Sequence, residues 1–343
     1  EESIASVESV DYEGMYDELK DNLNGIARGQ WFLLQMGQKD SYAYAQAEQA
    51  YESLRDTFED LKDGKLQEDS AGAVRQLRDA QDQVIMAGES LYTALAAMEL
   101  QEAGLQRQLD AMDRTVEEME LRYTLGQVSS LQLEQTKAGR ASLQSGLETL
   151  RMNIRTYKTQ LELLLGAELT GEIALGPVPQ VEQAQLDAMD LERDLETAKA
   201  RSYELYAADQ TLEDAREAYR DVGRETNYSE HDYQFVSAQH TWQAAQYTHD
   251  AAFQDYELRM RTLYAQVGDY RQILSAAQVS LESERAAYAA EELRYQQGKI
   301  SHNALLTAQD DLRAAEDAVE SAAIDLFSAY NTYCWAVEHG ILN

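Results

Sequence analysis

The chain has 343 residues and a formal net charge of −33, from 62 acidic and 29 basic residues. A surface this negative repels nucleic-acid phosphates and anionic lipid headgroups, which argues against a nucleic-acid-binding protein. The 2 prolines lie at positions 177 and 179, so the rest of the chain lacks the strongest helix breaker. With abundant Ala, Gln, Glu and Leu, this composition predicts an all-α protein.

The sequence also allows predictions about membrane-spanning segments, export and disulfide or zinc sites. No apolar run approaches the roughly 20 residues that a helix needs to cross a bilayer, so we predict no membrane-spanning segment. The chain begins at Glu1-Glu2 without Met, which is typical of an exported mature chain whose signal has been removed. Its single cysteine, Cys334, excludes a disulfide framework or a zinc site within one chain.

The first half of the chain predicts three helices. The first covers about 12–60, a polar turn follows at 62–70, and the second helix covers about 71–124. Gly126 then turns the chain into a third helix that ends at Gly166. Along this third helix, apolar residues recur at alternating steps of four and three, which is typical of a coiled-coil seam. The seam residues are Leu143, Leu147, Leu150, Ile154, Tyr157, Leu161 and Leu164.

The second half repeats this organisation after a linker at about 166–185. The linker is rich in Gly and Pro as far as Pro179 and is therefore not predicted to be helical there. Helices are predicted over about 186–221, 232–296 and 300–338. Moving the first seam by 172 residues gives a second seam with the same spacing. Its residues are Ala315, Val319, Ala322, Leu326, Ala329, Tyr333 and Ala336.

One short motif, Tyr-x-x-Gly-x-Val/Ile-Ser, occurs at the same place in both halves. Its residues are Tyr123, Gly126, Val128 and Ser129 in the first half and Tyr295, Gly298, Ile300 and Ser301 in the second. We expect each glycine to separate two long helices, each serine to cap the next helix, and each tyrosine to close the seam. The chain is therefore predicted to form elongated antiparallel coiled-coil hairpins in a two-fold internal repeat, 1–172 and 173–343, within one elongated domain.

A long helix that enters this motif and leaves it as a second long helix, twice per chain, resembles the outer-membrane efflux protein family (TolC-like). The second helix of each pair also matches, reaching Leu164-Leu-Gly166 and Glu338-His-Gly340. In that family each repeat also carries two β-strands of a membrane barrel. The corresponding positions here, 62–70 and 223–231, are too short for two strands of about 9–11 residues, so we expect a version that lacks the β-barrel strands.

The resemblance implies a component of an efflux or export system that forms a helical duct or an adaptor-docking subunit. The eight motif residues given above would dock a periplasmic-type adaptor (membrane fusion protein), and the chain would be exported to the cell envelope. A homo-trimer is compatible with this function. The stretch from His302 to Thr307 contains no acid, so a ring of carboxylates after the second glycine is not expected.

Other functions are less consistent with the sequence. No catalytic motif, phosphate loop or metal-ligand spacing is present, so we expect no enzymatic activity, cofactor or metal. The alternative to a transport component is a non-conducting, surface-attached coiled-coil protein with a structural or interaction role. The two differ in oligomeric state, because a duct needs several chains around a lumen.

Overall fold

The computed structural model describes residue 5, residues 9–37, residue 39 and residues 41–342. Within these residues the chain forms helices and no β-strand, which confirms the predicted all-α class of long helical hairpins. None of the helices in the described ranges combines the length and apolar character that crossing a membrane requires. Glu1-Glu2 lie outside these ranges. The helices are α1 (Tyr12–Gln35), α2 (Tyr42–Lys62), α3 (Lys65–Thr124), α4 (Ser130–Leu164), α5 (Gln183–Asp187), α6 (Leu191–Arg201), α7 (Tyr203–Glu225), α8 (Tyr233–Gln296) and α9 (His302–His339).

The predicted single helix over 12–60 is wrong, because the chain turns between α1 and α2. Gly37 adopts a left-handed backbone with φ 70°, and the Ser41 side chain caps α2 by accepting a hydrogen bond from the Tyr44 N–H. Residues 38 and 40 of this prediction lie outside the described residues. A left-handed glycine followed by a capping serine is enough to end one helix and begin the next.

The polar turn predicted at 62–70 is much shorter in the structure. Only Asp63 and Gly64 separate α2 from α3, and Gly64 has φ 85°. The polar residues that follow are helical from Lys65 onward. Glu, Gln, Lys and Asp are compatible with a helix, and acids near its N-terminus interact favourably with the helix dipole. Polarity alone therefore does not mark a loop here.

The helix predicted over 186–221 is divided into α5, α6 and α7. Asp190 caps α6 by accepting a hydrogen bond from the Arg193 N–H at 3.1 Å. Ser202, with an extended backbone, ends α6 and caps α7. The C-terminal segment passes close to this break, since a Cβ on Gly340 would overlap the Ser202 nitrogen. Short polar capping residues thus interrupt the stretch 186–221, which the sequence pattern predicts to be one helix.

Packing divides the chain between Asp82 and Gln83 into two compact units, and this boundary falls within α3. In the first unit, α1 and α2 form a hairpin in which the rings of Tyr16 and Phe58 lie 4.9 Å apart. Leu61, at the end of α2, is buried, and its carbonyl accepts a hydrogen bond from the Gln67 side chain. The division into repeats at 172/173 remains a prediction.

In the second unit, four long helices are connected by side-chain contacts in the order α4, α3, α9 and α8. Ion pairs join α3 to α4 through Arg151 and Glu102, and α3 to α9 through Arg107 and Asp317. Helix α9 packs along α8, which spans 64 residues or about 96 Å. Helices α6 and α7 cover part of α8. The largest buried cluster lies among α6, α7, α8 and α9. It includes Leu195, Leu205, Tyr256, Met260, Leu326, Tyr333 and Ala336.

The linker after α4 is held by a buried carboxylate. Glu162 accepts hydrogen bonds from the Thr170 hydroxyl at 2.8 Å and from the Gly171 N–H at 2.7 Å. The N–H groups of Glu172 and Ile173 also donate to it, both at 3.1 Å. The Gly171 bond in particular lowers the pKa of Glu162, because these donors stabilise the charged form. One helix residue thereby fixes the path of an otherwise irregular connection.

Candidate functional site

The α3–α4 hairpin ends in a turn built around Gly126. The Gln127 N–H donates to the Arg122 carbonyl at 2.8 Å, and the Gly126 N–H donates to the Tyr123 carbonyl at 2.9 Å. These two bonds form a Schellman motif, which satisfies carbonyls at the end of a helix. Gly126 has φ 72°, a left-handed conformation that glycine adopts without the steric cost of a Cβ. The glycine therefore ends α3, as the sequence predicts.

The α8–α9 hairpin ends in the same turn. The Lys299 N–H donates to the Arg294 carbonyl at 2.9 Å, and the Gly298 N–H donates to the Tyr295 carbonyl at 2.8 Å. Gly298 has φ 69°. The backbone hydrogen bonds of the two predicted tips thus match one for one, and the two glycines have nearly the same conformation.

The serine that follows each glycine caps the next helix, as predicted. Ser129 accepts a hydrogen bond from the Gln132 N–H at 3.3 Å, while the Gln132 side chain accepts one from the Ser129 N–H at 2.9 Å. This reciprocal pair is a capping box. Ser301 accepts from the Ala304 N–H at 3.2 Å. Both caps satisfy N–H groups that have no partner within the helix, so the turns are short and well defined.

The tip side chains do not all lie where the sequence suggests. Tyr123 is 45% exposed and Tyr295 is 38% exposed, so neither closes a buried seam. The Tyr295 ring instead lies 5.8 Å from the His302 ring. Val128 and Ile300 are half-buried on their turns. The structure therefore leaves an accessible tyrosine at each tip and places a partly covered aliphatic side chain beside it.

Both tips lie at the same end of the second unit, because α3 and α9 are antiparallel and in a constant register. Arg114 pairs with Asp310, and each lies 12 residues from the glycine of its own hairpin. Farther along the same two helices, the Trp335 Nε1 donates to Glu89 at 2.6 Å, and each of these residues lies 37 positions from its glycine. Because the contacting residues of α3 and α9 are equally far from their own glycines, the two turns lie at the same height along the helix pair.

These connections between α3 and α9 were missed by the sequence reasoning. Arg107 and Asp317 form a further pair, 19 residues from Gly126 and Gly298 respectively. The pairs Arg107–Asp317 and Arg114–Asp310 each join a cation on α3 to an acid on α9 at equal distance from the two glycines. A search for opposite charges at mirrored distances from the two motifs would have found them.

The two tips differ in the side chains around the shared turn. The first tip exposes Leu125 and Leu131. The corresponding positions 172 residues later are Gln297 and Asn303, which are also exposed. Leu121 and Leu293 occupy matching positions and are exposed in both hairpins. The two turns therefore share a backbone conformation, but the first tip is the more apolar of the two.

Comparisons with known proteins agree with this architecture at the level of fold. The sequence matches no protein-family model and no curated protein. Among solved structures, the chain is similar to CusC, with a TM-score of 0.53 and 16% sequence identity over 98% of this chain and 94% of that one. The structures of CusC concern its folding and the formation of a transmembrane channel.

Two further structures show the same likeness. The outer-membrane channel OprN matches with a TM-score of 0.53 and 18% identity over 79% of this chain and 69% of its own. VceC, an outer membrane protein of Vibrio cholerae, matches with a TM-score of 0.50 and 16% identity over 80% and 76%. The TolC-like helical fold expected from the paired glycine motif is thus confirmed, although sequence identity is low.

Proposed function

We propose that the chain is a component of an efflux or export system of the cell envelope and that its two glycine tips dock a periplasmic-type adaptor. The observation that carries the proposal is the pair of matching turns at one end of the second unit, around Gly126 and Gly298. The register of α3 on α9 holds the two turns level with each other. A single partner can therefore contact both turns at once.

The exposed side chains at these tips suit a protein partner. Leu125 and Leu131 offer apolar area, and Tyr123 and Tyr295 combine an apolar ring with a polar hydroxyl. Aromatic residues are enriched in protein–protein interfaces for this reason. The adaptor contact would therefore consist of an apolar centre at the first tip and a more polar contact at the second.

Assembly of several chains is supported by the two helices that end the series, α4 and α8. Met152 and Ile273 are exposed at 26 and 25 residues from the glycines of their own hairpins. The edge helices thus carry exposed apolar side chains at nearly the same height. Contact between α4 of one copy and α8 of the next would bury them, as a duct of several copies requires.

The docking proposal is tested with a double variant, Gly126→Asp with Gly298→Asp. The probe is the immobilised helical hairpin of an efflux adaptor, and a thermal melt run in parallel establishes that the variant is folded. We expect binding to be lost, because aspartate adds charge and a side chain at both turns. The matched control is Gly146→Asp with Gly268→Asp, two glycines within helices that have open space around them. Unchanged binding by the folded tip variant would contradict the proposal.

Oligomeric state distinguishes a duct from a non-conducting coiled-coil protein. For the duct, light scattering of the chain alone should give a multiple of 38.7 kDa, and bound adaptor should add its own mass. The double variant Met152→Glu with Ile273→Glu should be a monomer with the mass of one chain, because both side chains would face the neighbouring copy. A wild-type chain that stays monomeric with adaptor present would favour the structural alternative.

A further inference from the structure

The last turn of α1 exposes a cluster of large apolar side chains that the first unit does not use in its packing. Trp31, Phe32, Leu34 and Met36 are 63%, 59%, 42% and 59% exposed. Tyr42, the first residue of α2, lies across the same turn and is 78% exposed. Monomeric proteins rarely expose several neighbouring apolar side chains unless they bind something.

The distribution of these side chains around the helix indicates what could cover them. Successive residues of a helix are about 100° apart, so Trp31, Phe32 and Leu34 of α1, together with the C-cap residue Met36, span an arc of about 200°. Leu33, in the remaining sector, is half-buried. A helix that packs sideways into a partner presents a stripe about 100° wide. The exposed arc at the end of α1 is about twice as wide as such a stripe. A groove on a protein would cover only part of this arc, whereas a lipid layer can surround the whole hairpin end.

The charges of this segment differ from those of the rest of the chain. Between Asn22 and Lys39 there is no acidic residue, although the whole chain carries a net charge of −33. The segment contains two cations, Arg28 and Lys39, and both are exposed. Arg28 lies eight residues before Met36, about 12 Å along the helix. That distance is comparable to the depth of the headgroup layer together with the acyl boundary of a bilayer.

We propose that this hairpin end, Trp31 to Met36 with Tyr42, inserts into the interface of a phospholipid bilayer. Trp31 and Tyr42 occupy the headgroup boundary, where tryptophan and tyrosine are favoured. Phe32, Leu34 and Met36 enter the upper acyl region. The flexible side chain of Arg28 reaches back to the lipid phosphates. This membrane contact goes beyond docking of an adaptor and does not depend on it.

Flotation with vesicles tests the proposal on the full chain. The probes are phosphatidylcholine vesicles, with and without phosphatidylglycerol, and phosphatidylcholine vesicles with brominated acyl chains. The wild-type chain should float with phosphatidylcholine vesicles, and brominated lipid should quench part of its tryptophan fluorescence. Trp31→Phe should remove that quenching, because the two other tryptophans are not part of the inserted end.

The variant Trp31→Ser with Phe32→Ser should lower the vesicle partition coefficient at least about tenfold, since two large apolar side chains no longer leave water. Both positions are exposed, so its thermal midpoint should match that of the wild type. The matched control is Leu125→Ser with Leu131→Ser, which removes two equally exposed apolar side chains from a glycine tip. The control should float like the wild type.

Three outcomes would overturn the proposal. One is a wild-type chain that stays at the bottom of the gradient with all vesicles. Another is an equal loss of flotation in both double-serine variants, which would indicate non-specific adhesion. The third is flotation without quenching of Trp31 by brominated lipid, which would mean that another surface contacts the membrane.

Discussion

The two long hairpins of the second unit end in the same turn but are held together differently. In α9 most positions of the predicted seam are buried, including Ala322, Leu326 and Ala336. In α4 the seam is buried at every seventh residue, at Leu147, Ile154 and Leu161. The α4 positions between them are only half-buried or are exposed. A repeated heptad spacing has thus produced a mostly buried apolar seam in one hairpin and a partly buried one in the other.

Neighbouring helices explain the difference. Helix α9 packs against α8 and α6 and is also joined to α3, so few of its faces remain free. Helix α4 is joined to α3 by a small apolar cluster, Leu95 with Ile154 and Leu161, and by charged pairs along one side. These pairs are Lys137–Glu120, Arg140–Asp113, Arg151–Glu102 and Lys158–Glu99. Heptad spacing specifies which face of a helix is apolar, but the number of surrounding helices decides how much of that face is buried.

The largest expected effect on stability comes from replacing a methionine in the well-packed hairpin, compared with a methionine in the partly buried one. Met260, on α8, is fully buried, and Met152, on α4, is 63% exposed. Met260→Ala should lower the free energy of unfolding by about 2–5 kcal/mol, because it removes packed atoms and leaves a cavity. Met152→Ala should change it by less than about 0.5 kcal/mol. Urea denaturation of both variants measures the difference. Similar losses would mean that the hairpins are equally packed.

A second prediction concerns the two seam tyrosines. The Tyr333 hydroxyl donates to buried Asp194 at 2.5 Å, whereas Tyr157 is exposed on α4. Tyr333→Phe should cost about 1–3 kcal/mol of unfolding free energy, because a buried carboxylate loses a donor. Tyr157→Phe is the matched control and should be close to neutral. An equal effect of the two substitutions in denaturant melts would contradict the comparison.

The same contact makes stability depend on pH. Burial by itself would raise the pKa of Asp194, but hydrogen bonds from Tyr333, the Asp190 N–H and Arg193 outweigh it, and the net pKa is lowered. A carboxyl with a lowered folded pKa stabilises the protein above its unfolded pKa of about 3.9, and this contribution is lost as pH falls through the folded value. Tyr333→Phe should therefore weaken the loss of stability below about pH 4. A pH series of melts that is parallel for wild type and variant would exclude this linkage.

The turns themselves should respond alike. Gly126→Ala and Gly298→Ala should each cost about 1–2 kcal/mol, because alanine is strained in a left-handed conformation, although no atom blocks a Cβ at either site. Gly146→Ala, within α4, should instead stabilise by about 0.5–1 kcal/mol. Thermal melts of the three variants test this order. Clearly unequal costs at the two tips would show that their surroundings, rather than the shared backbone, determine the strain.

The smallest effect is expected for the charged pairs of α4. The hydrogen bond to Asp113 raises the pKa of Arg140, but the pair is solvent-accessible, and such pairs contribute little once salt screens them. Arg140→Gln should leave the denaturation midpoint unchanged within error at about 0.15 M salt. A loss as large as that of Tyr333→Phe would instead show that the ion pairs hold α4 in place.

The sequence by itself determined the four long helices, α3, α4, α8 and α9, and the two glycine turns that join them in pairs. Gly126 and Gly298 are identified by a repeated motif, and their turns depend on local backbone conformation and capping. Interactions within a few residues, such as the Schellman bonds and the Ser129 cap, are encoded where they occur. The all-α class follows in the same way from composition and from the near absence of proline.

Tertiary structure alone decided how the helices are joined. The register of α3 on α9, set by contacts such as Arg114 with Asp310 and Glu89 with Trp335, joins residues roughly 200 or more positions apart. The partial burial of α4 and the position of Ser202 beside Gly340 also depend on distant segments. Heptad spacing gives every long helix an apolar face, but many pairings of such faces bury similar area. The observed pairing combines apolar clusters, such as Leu95 with Ile154, and polar contacts between distant segments, and only the folded chain brings these together.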